Sequence, residues 1–160
     1  MTESCVSSSV SWISNIAPLG SWALVIVGWA VVRRDNNRRE ERKEIKAIVD
    51  SAIERSERLQ DLGRRYHVSP SSSENEQRAA QIRSDLKRLG TELQILHVAT
   101  AGKISASKAL IELRQRITGG SFDSAERQAV LDSDPLLSDI DDAVFELHRA
   151  LTQKFASLPR

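Results

Sequence analysis

The sequence contains little cysteine, aromatic residue, glycine or proline. Cys5 is the one cysteine among 160 residues, so no disulfide can form within the chain. Aromatic residues make up 4% of the sequence, with 7 glycines and 4 prolines. The formal net charge of +1 does not indicate nucleic acid as a partner. Ala, Leu, Glu, Arg, Gln and Lys dominate the second half, a composition that favours helices.

Residue groupings typical of catalytic and metal sites are also missing. His67, His97 and His148 lie far apart and show no metal-ligand spacing; His67 is expected as a cation at a helix C-terminus. The aspartates of residues 132–142 lack the pattern of a calcium loop and are typical of helix caps. No glycine-rich phosphate loop or nucleophile elbow occurs. We predict no enzymatic activity, no metal, no cofactor and no small-molecule substrate.

One long apolar stretch lies near the N-terminus. Residues 12–32 carry no charge and would span about 31 Å as a helix, the thickness of a bilayer core. Trp12 and Trp29 lie near its two ends, as expected at membrane interfaces. We therefore predict a transmembrane helix over residues 12–32, preceded by a short extracytoplasmic tail over residues 1–11. The alternative is a buried core helix, which a small polar domain would have to cover.

The charges on either side of this stretch predict its orientation. Only Glu3 precedes it, whereas seven basic residues follow within residues 33–46. The positive-inside rule then places the N-terminus outside and the remaining chain in the cytoplasm. A cleaved signal peptide would show the opposite order of charge. The side chains expected at the membrane interface are Trp12, Trp29, Arg33, Arg34, Arg38 and Arg39.

Small residues within the stretch indicate a face for helix packing in the membrane. They are Ala17, Gly20, Ser21 and Gly28. Small side chains let two helices approach closely, so this face either joins two copies or meets lipid. In this topology Cys5 lies outside, where it is either a free thiol or a link between two chains.

The sequence after the stretch predicts an all-α fold. Residues 33–67 form a juxtamembrane helix that continues the membrane helix as a cytoplasmic rod, with a weak heptad pattern typical of a coiled coil. Residues 68–73, with Pro70 and several serines, form a linker. Residues 74–158 form a small antiparallel helical bundle. Its helices are expected to end near Ala99, Ile117, Leu131 and Ala156, and to begin at the capping signals Ser73 with Glu76, Ser105, Asp123 with Glu126, and Asp134 with Pro135.

Two of these helices carry regular heptad seams. The seam residues are Ile82, Leu86, Leu89, Leu93 and Leu96, and Leu137, Ile140, Val144, Leu147 and Leu151. They form either the core of the bundle or a surface for another chain. Residues 74–120 carry eight basic and five acidic side chains, and residues 121–160 carry four basic and eight acidic. The two halves should therefore attract each other, within one chain or between two.

The stretch GWAVVRRDNNRREERKEIK, Gly28 to Lys46, resembles the juxtamembrane segment of small bacterial single-pass membrane proteins. In those proteins an apolar span ending in Trp or Tyr precedes an Asn- and Arg-rich helix. The resemblance implies a location in the bacterial inner membrane. It transfers no activity and no functional residue.

These features favour a membrane-anchored interaction or scaffold protein that presents a cytoplasmic bundle for self-assembly or partner binding. The expected partners are the lipid bilayer and further copies of the chain, or another membrane or cytoplasmic protein. The alternative is a membrane-acting effector, or a subunit of a bacterial pore, phage-defence or phage-exclusion system.

Overall fold

The computed structural model describes residues 13–120, 122–124 and 127–158, although no side chains are described for residues 13–28 and 30–35. Within these ranges the protein is all-α without strands, as the sequence predicts. The helices are α1 (Ile13–Val68), α2 (Ser73–Ala99), α3 (Ser107–Thr118) and α4 (Pro135–Ala156). The chain divides into two compact units, Met1–Lys43 and Glu44–Arg160, and the helical bundle is the second unit.

The starts of α2 and α3 differ slightly from the sequence-based prediction. The N-cap of α2 is Ser72 and not Ser73, and its hydroxyl accepts a hydrogen bond from the backbone N–H of Asn75 at 3.3 Å. The predicted cap of α3 was Ser105, but Ala106 precedes this helix and no side chain caps it. A serine at the right spacing therefore does not guarantee the cap when the preceding turn sets a different register.

The start of α4 is confirmed. The carboxylate of Asp134 accepts a hydrogen bond from the backbone N–H of Leu136 at 2.9 Å. Pro135 follows in the first turn, where its missing N–H costs nothing because that position has no helical acceptor. The pair of signals fixes the helix start to the residue.

The predicted short helix over residues 123–131 is wrong. No helix occurs in its described residues, 123–124 and 127–131. The backbone N–H of Asp123 donates to the hydroxyl of Tyr66 at 3.0 Å, and that of Val130 donates to the carbonyl of His67 at 3.0 Å. Contacts with the end of α1 thus satisfy donors that a helix would have used within itself.

The core of the bundle contains both predicted heptad seams. All ten residues are buried, with Leu86 at 8% exposure and Leu93 at 7% the least covered. A fully buried leucine contributes about 1.5–3 kcal/mol through the hydrophobic effect. Of the two roles left open by the sequence, the seams fill that of the core.

The second part of α1 belongs to the same core, so the compact unit begins earlier than the bundle predicted from residue 74. The weak heptad of α1 is buried in this unit at Val49, Ala52, Ser56, Leu59, Gly63 and Tyr66. At Gly63 the helix packs on Ile117, where an added Cβ would make an ordinary contact at 3.5 Å. Polar pairs add to the packing, including Arg64 with Asp141 at 2.7 Å.

Candidate functional site

A groove with a volume of about 640 Å³ lies between α2 and α3. Its wall combines apolar and basic side chains. The apolar residues are Leu86, Leu110 and Phe122, and the basic residues are Arg83, Lys87 and Arg114. Apolar surface beside positive charge is suited to a partner that offers an apolar side chain next to a carboxylate. This groove is the strongest candidate site in the described part of the chain.

Helical spacing brings the groove residues together. Arg83, Lys87 and Gly90 follow one another at intervals of four and three residues, so they share one face of α2. Leu110 and Arg114, four residues apart, do the same on α3. A Cβ placed on Gly90 would lie 3.7 Å from Cδ2 of Leu110, so the glycine leaves open a space that a larger side chain would fill.

The basic side chains of the groove are only partly neutralised. Arg83 forms an ion pair with Asp123. The side chains of Lys87 and Arg114 are exposed and have no ion-pair partner among the described residues. Two positive charges therefore remain available beside the apolar wall.

One end of the groove already holds an apolar residue followed by a carboxylate. Phe122 packs against Tyr66 with ring centroids 4.7 Å apart, while the carboxylate of Asp123 meets Arg83. The φ angle of Asp123 is +65°, in the left-handed region that aspartate tolerates better than most residues. Its hydrogen bond to the Tyr66 hydroxyl and its ion pair offset the cost of that conformation.

A buried arginine ties this end of the groove to α1. The guanidinium of Arg127 donates to the backbone carbonyls of Tyr66 at 2.8 Å and Ser69 at 2.5 Å. Asn75 also donates to the Tyr66 carbonyl, at 3.1 Å. The carbonyls at the end of a helix receive no hydrogen bond from within the helix. Arg127 supplies these bonds from a distant part of the chain and so acts as a long-range cap. They also hold Tyr66 in place beneath Asp123.

His67 is buried beside this cap, at 2% exposure. Burial lowers the pKa of its imidazole, assisted by the nearby charge of Arg127 and opposed by a hydrogen bond to the carbonyl of Ile117. With the imidazole neutral, Nε2–H donates to that carbonyl at 2.9 Å. The prediction of a cationic histidine at the helix end is therefore wrong, because the site is buried and Arg127 supplies the positive charge.

A serine and a histidine meet in the core. The Oγ of Ser56 lies 2.7 Å from Nε2 of His148, a spacing known from nucleophile–base pairs. The Ser56 hydroxyl also donates to the carbonyl of Ile53 at 2.8 Å, so its one proton is engaged and His148 must donate. Ser56 is fully buried as well. The pair is an interhelical hydrogen bond. His148 holds the shared proton, so it cannot act as a general base toward Ser56 in this arrangement.

The aspartates of residues 132–142 are dispersed rather than clustered. Asp134 caps α4, Asp139 pairs with Arg116 at 2.6 Å, and Asp141 pairs with Arg64. Within the described ranges no group of three or more His, Cys, Asp or Glu side chains is positioned to hold a metal ion.

The residues predicted to meet the membrane are described only in part. Trp12 lies outside the described residues, as do the side chains of Arg33 and Arg34 and those of the small-residue set Ala17, Gly20, Ser21 and Gly28. Trp29, Arg38 and Arg39 are described and exposed. In the described part of the chain, no helix combines the length and apolar character needed to cross a bilayer.

The groove is not evident from sequence patterns, because its basic residues come from two helices. A signal was present in Arg83, Lys87 and Gly90, which share a helix face directly beside the leucine seam of α2. Its pairing with Arg114 required the fold of α3 onto α2.

No protein family, curated protein or solved structure matches this chain. The groove is therefore interpreted from its own residues.

Proposed function

We propose that this protein is a membrane-anchored helical interaction protein. Residues 12–32 anchor it in the bacterial inner membrane, with the N-terminus outside and the bundle in the cytoplasm. The bundle binds an acidic, partly apolar polypeptide segment in the groove between α2 and α3. The observation that carries this proposal is the pair of exposed, unneutralised charges of Lys87 and Arg114 beside the apolar wall.

The burial of the heptad seams supports the groove as the binding surface. Apart from Leu86, which reaches the groove with 8% exposure, the seam residues are covered by the core and cannot also bind a partner without unfolding the bundle. The groove, by contrast, is open, and the half-buried Leu110 and Phe122, which lie outside the seams, supply the rest of its apolar wall. Apolar contact supplies affinity there, and the positive charges select for acidic partners and speed their association.

The sequence supports the anchor. An uncharged stretch of bilayer length ends in Trp29 and is followed at once by Arg33 and Arg34. An anchor of this kind would keep the bundle at the membrane surface, where it meets membrane and cytoplasmic partners.

The binding proposal is tested with a fluorescent peptide and the full-length chain purified in mild detergent. The peptide is an amphipathic helix of about four turns, with Phe and Leu on one face flanked by Asp and Glu. Fluorescence anisotropy measures its affinity. The combined change Lys87→Glu and Arg114→Glu should weaken binding about tenfold, as expected for two exposed ion pairs of up to ~1 kcal/mol each.

Matched controls separate groove binding from general attraction between charges. Arg88→Glu reverses one charge on α2 outside the groove lining, as Lys87→Glu alone does within it, and should leave binding almost unchanged where Lys87→Glu weakens it. Gly90→Leu should abolish binding by filling the groove, whereas Gly90→Ala should not. Equal loss of affinity in the Arg88 and groove variants, or equal binding of a peptide with Asn and Gln in place of its acids, would contradict the proposal.

A further inference from the structure

A large apolar side chain stands exposed on α4. Phe145 is 64% exposed, so a large apolar ring is left in contact with water. Asp142 precedes it by three residues, so both lie on the same face of the helix. Asp142 is exposed and has no ion-pair partner among the described residues. The face therefore presents an apolar ring one turn from a free carboxylate.

We propose that this face of α4 in a second copy of the chain is the segment that occupies the groove. Phe145 of one copy packs on the apolar wall of the other, and Asp142 meets Lys87 or Arg114. The inference rests on the proposed function, since it names the partner of the same groove.

The chain itself provides the template for this contact. Phe122 and Asp123 already place an aromatic ring in the groove wall and a carboxylate on Arg83. The α4 face repeats that chemistry, and the remaining two basic residues of the groove are the ones without a carboxylate. The opposite charges of residues 74–120 and 121–160 favour the same pairing between chains.

The two surfaces are different, so the contact either forms twice in a reciprocal dimer or extends from copy to copy in an open array. Each contact alone is expected to be weak, because it joins one ring and one or two exposed ion pairs. Copies anchored in one membrane would meet at a raised effective concentration, and a weak contact is then sufficient.

Cysteine cross-linking of the full-length chain tests this contact directly. In a Cys5→Ser background, one tagged chain carries Thr118→Cys in the groove lining, and a second, differently tagged chain carries Arg149→Cys, one turn after Phe145 on α4. Both changes leave Phe145, Asp142, Lys87 and Arg114 in place. The two chains are combined in detergent and mildly oxidised. We expect a covalent product that contains both tags. The control pair Arg88→Cys with Leu131→Cys, at exposed positions outside both surfaces, should give several-fold less product.

Four further changes separate this contact from association through the membrane helices. Gly90→Leu in the chain with Thr118→Cys should eliminate the product, whereas Gly90→Ala should preserve it. Asp142→Arg in the chain with Arg149→Cys should reduce the product, and Lys87→Asp in its partner should restore it. A product no stronger than the control, or unaffected by Gly90→Leu, would overturn the inference. If the acidic peptide still binds in that case, the proposed function stands and the occupant is another protein; if neither forms, both fail.

Discussion

The guanidinium carbon of Arg127 lies 4.4 Å from the centre of the Tyr66 ring, while the same guanidinium donates to the Tyr66 carbonyl. One side chain therefore binds both the face of the ring and the backbone of the residue that carries it. The arrangement combines a cation–π contact with a helix cap. It explains how a charged residue can be buried at 6% exposure in the loop before α4.

Replacing Arg127 with lysine should therefore destabilise the protein by about 2 kcal/mol. Lysine keeps the charge but lacks the planar fork that reaches the carbonyls of Tyr66 and Ser69 together. Chemical denaturation of the full-length chain, followed by circular dichroism, measures the loss. Arg88→Lys, at an exposed site, serves as the control and should change stability by less than ~0.5 kcal/mol. Equal stability of both variants would show that the cap contributes little.

Local signals in the sequence were sufficient to predict most of the helices, but not the contacts between them. Asp134 with Pro135 marks the start of α4, and the seam spacing correctly identifies residues such as Leu89 and Leu147 that fill the core. Both signals operate within one helix, at spacings of three or four residues. Periodicity therefore predicts which residues are buried without showing what they are buried against.

The contacts that were missed all join residues distant in the sequence. Arg127 caps a helix that ends some sixty residues earlier, and no local pattern distinguishes it from an exposed arginine. Asp123 follows the capping-box pattern, yet a hydrogen bond with Tyr66 and an ion pair with Arg83 hold it in a left-handed conformation outside any helix. Tertiary contacts override the local preference in each case.

Stability should depend on pH through His67. Burial lowers its pKa in the folded protein, whereas the unfolded chain protonates it below the ordinary value of 6.5. Below pH 6.5 the unfolded state therefore binds more protons than the folded state. The free energy of unfolding is undiminished by His67 above pH 6.5 and falls as the pH drops below that value. Thermal unfolding between about pH 7.5 and about pH 5 measures the effect.

His67→Gln provides the control for that measurement. Its side-chain amide can still donate to the Ile117 carbonyl, but it does not titrate. The variant should lose less stability than the unmodified chain over the same fall in pH. Identical slopes for the two proteins would mean that other groups carry the pH dependence.

Two acidic residues share Arg55 unequally, and their removal should have unequal effects. Glu92 accepts hydrogen bonds from Arg55 at 2.7 and 3.1 Å, whereas Asp85 lies 3.6 Å from the guanidinium. The second oxygen of Asp85 is buried without a hydrogen-bond partner in the described part of the protein. Glu92→Gln should cost about 2 kcal/mol, because it weakens the bidentate pair. Asp85→Asn should leave stability unchanged or raise it.

Urea denaturation of the two variants decides this comparison. Asp85→Asn leaves stability unchanged or raises it only where the desolvation of Asp85 outweighs its attraction to Arg55. A loss of stability for Asp85→Asn as large as that for Glu92→Gln would show that both acids stabilise the arginine equally.

Gly90 should be replaceable by alanine with a gain in stability. It lies within α2, and a Cβ would make only an ordinary contact, 3.7 Å from Leu110. Alanine in place of a helical glycine stabilises by about 0.5–1 kcal/mol. A raised melting temperature, together with unchanged peptide binding, would indicate that the glycine serves to keep the groove open for larger ligands rather than to stabilise the fold. A lowered melting temperature would contradict this reading of the space around it.

The proposed topology predicts opposite accessibility for two thiols. Cys5 precedes the apolar stretch, so a membrane-impermeant maleimide should label it in intact bacterial cells expressing the full-length chain. Lys103→Cys in a Cys5→Ser background places the thiol in the exposed turn after α2, where labelling should require cell lysis. Each of the two proteins carries one thiol, and the labelling of intact cells is compared with that of the same protein after lysis. Labelling of both thiols before lysis would place the bundle outside, and labelling of neither would place both ends of the chain in the cytoplasm. Either result would contradict the proposed topology, in which the chain crosses the membrane once with the bundle on the side of the positive flanking charge.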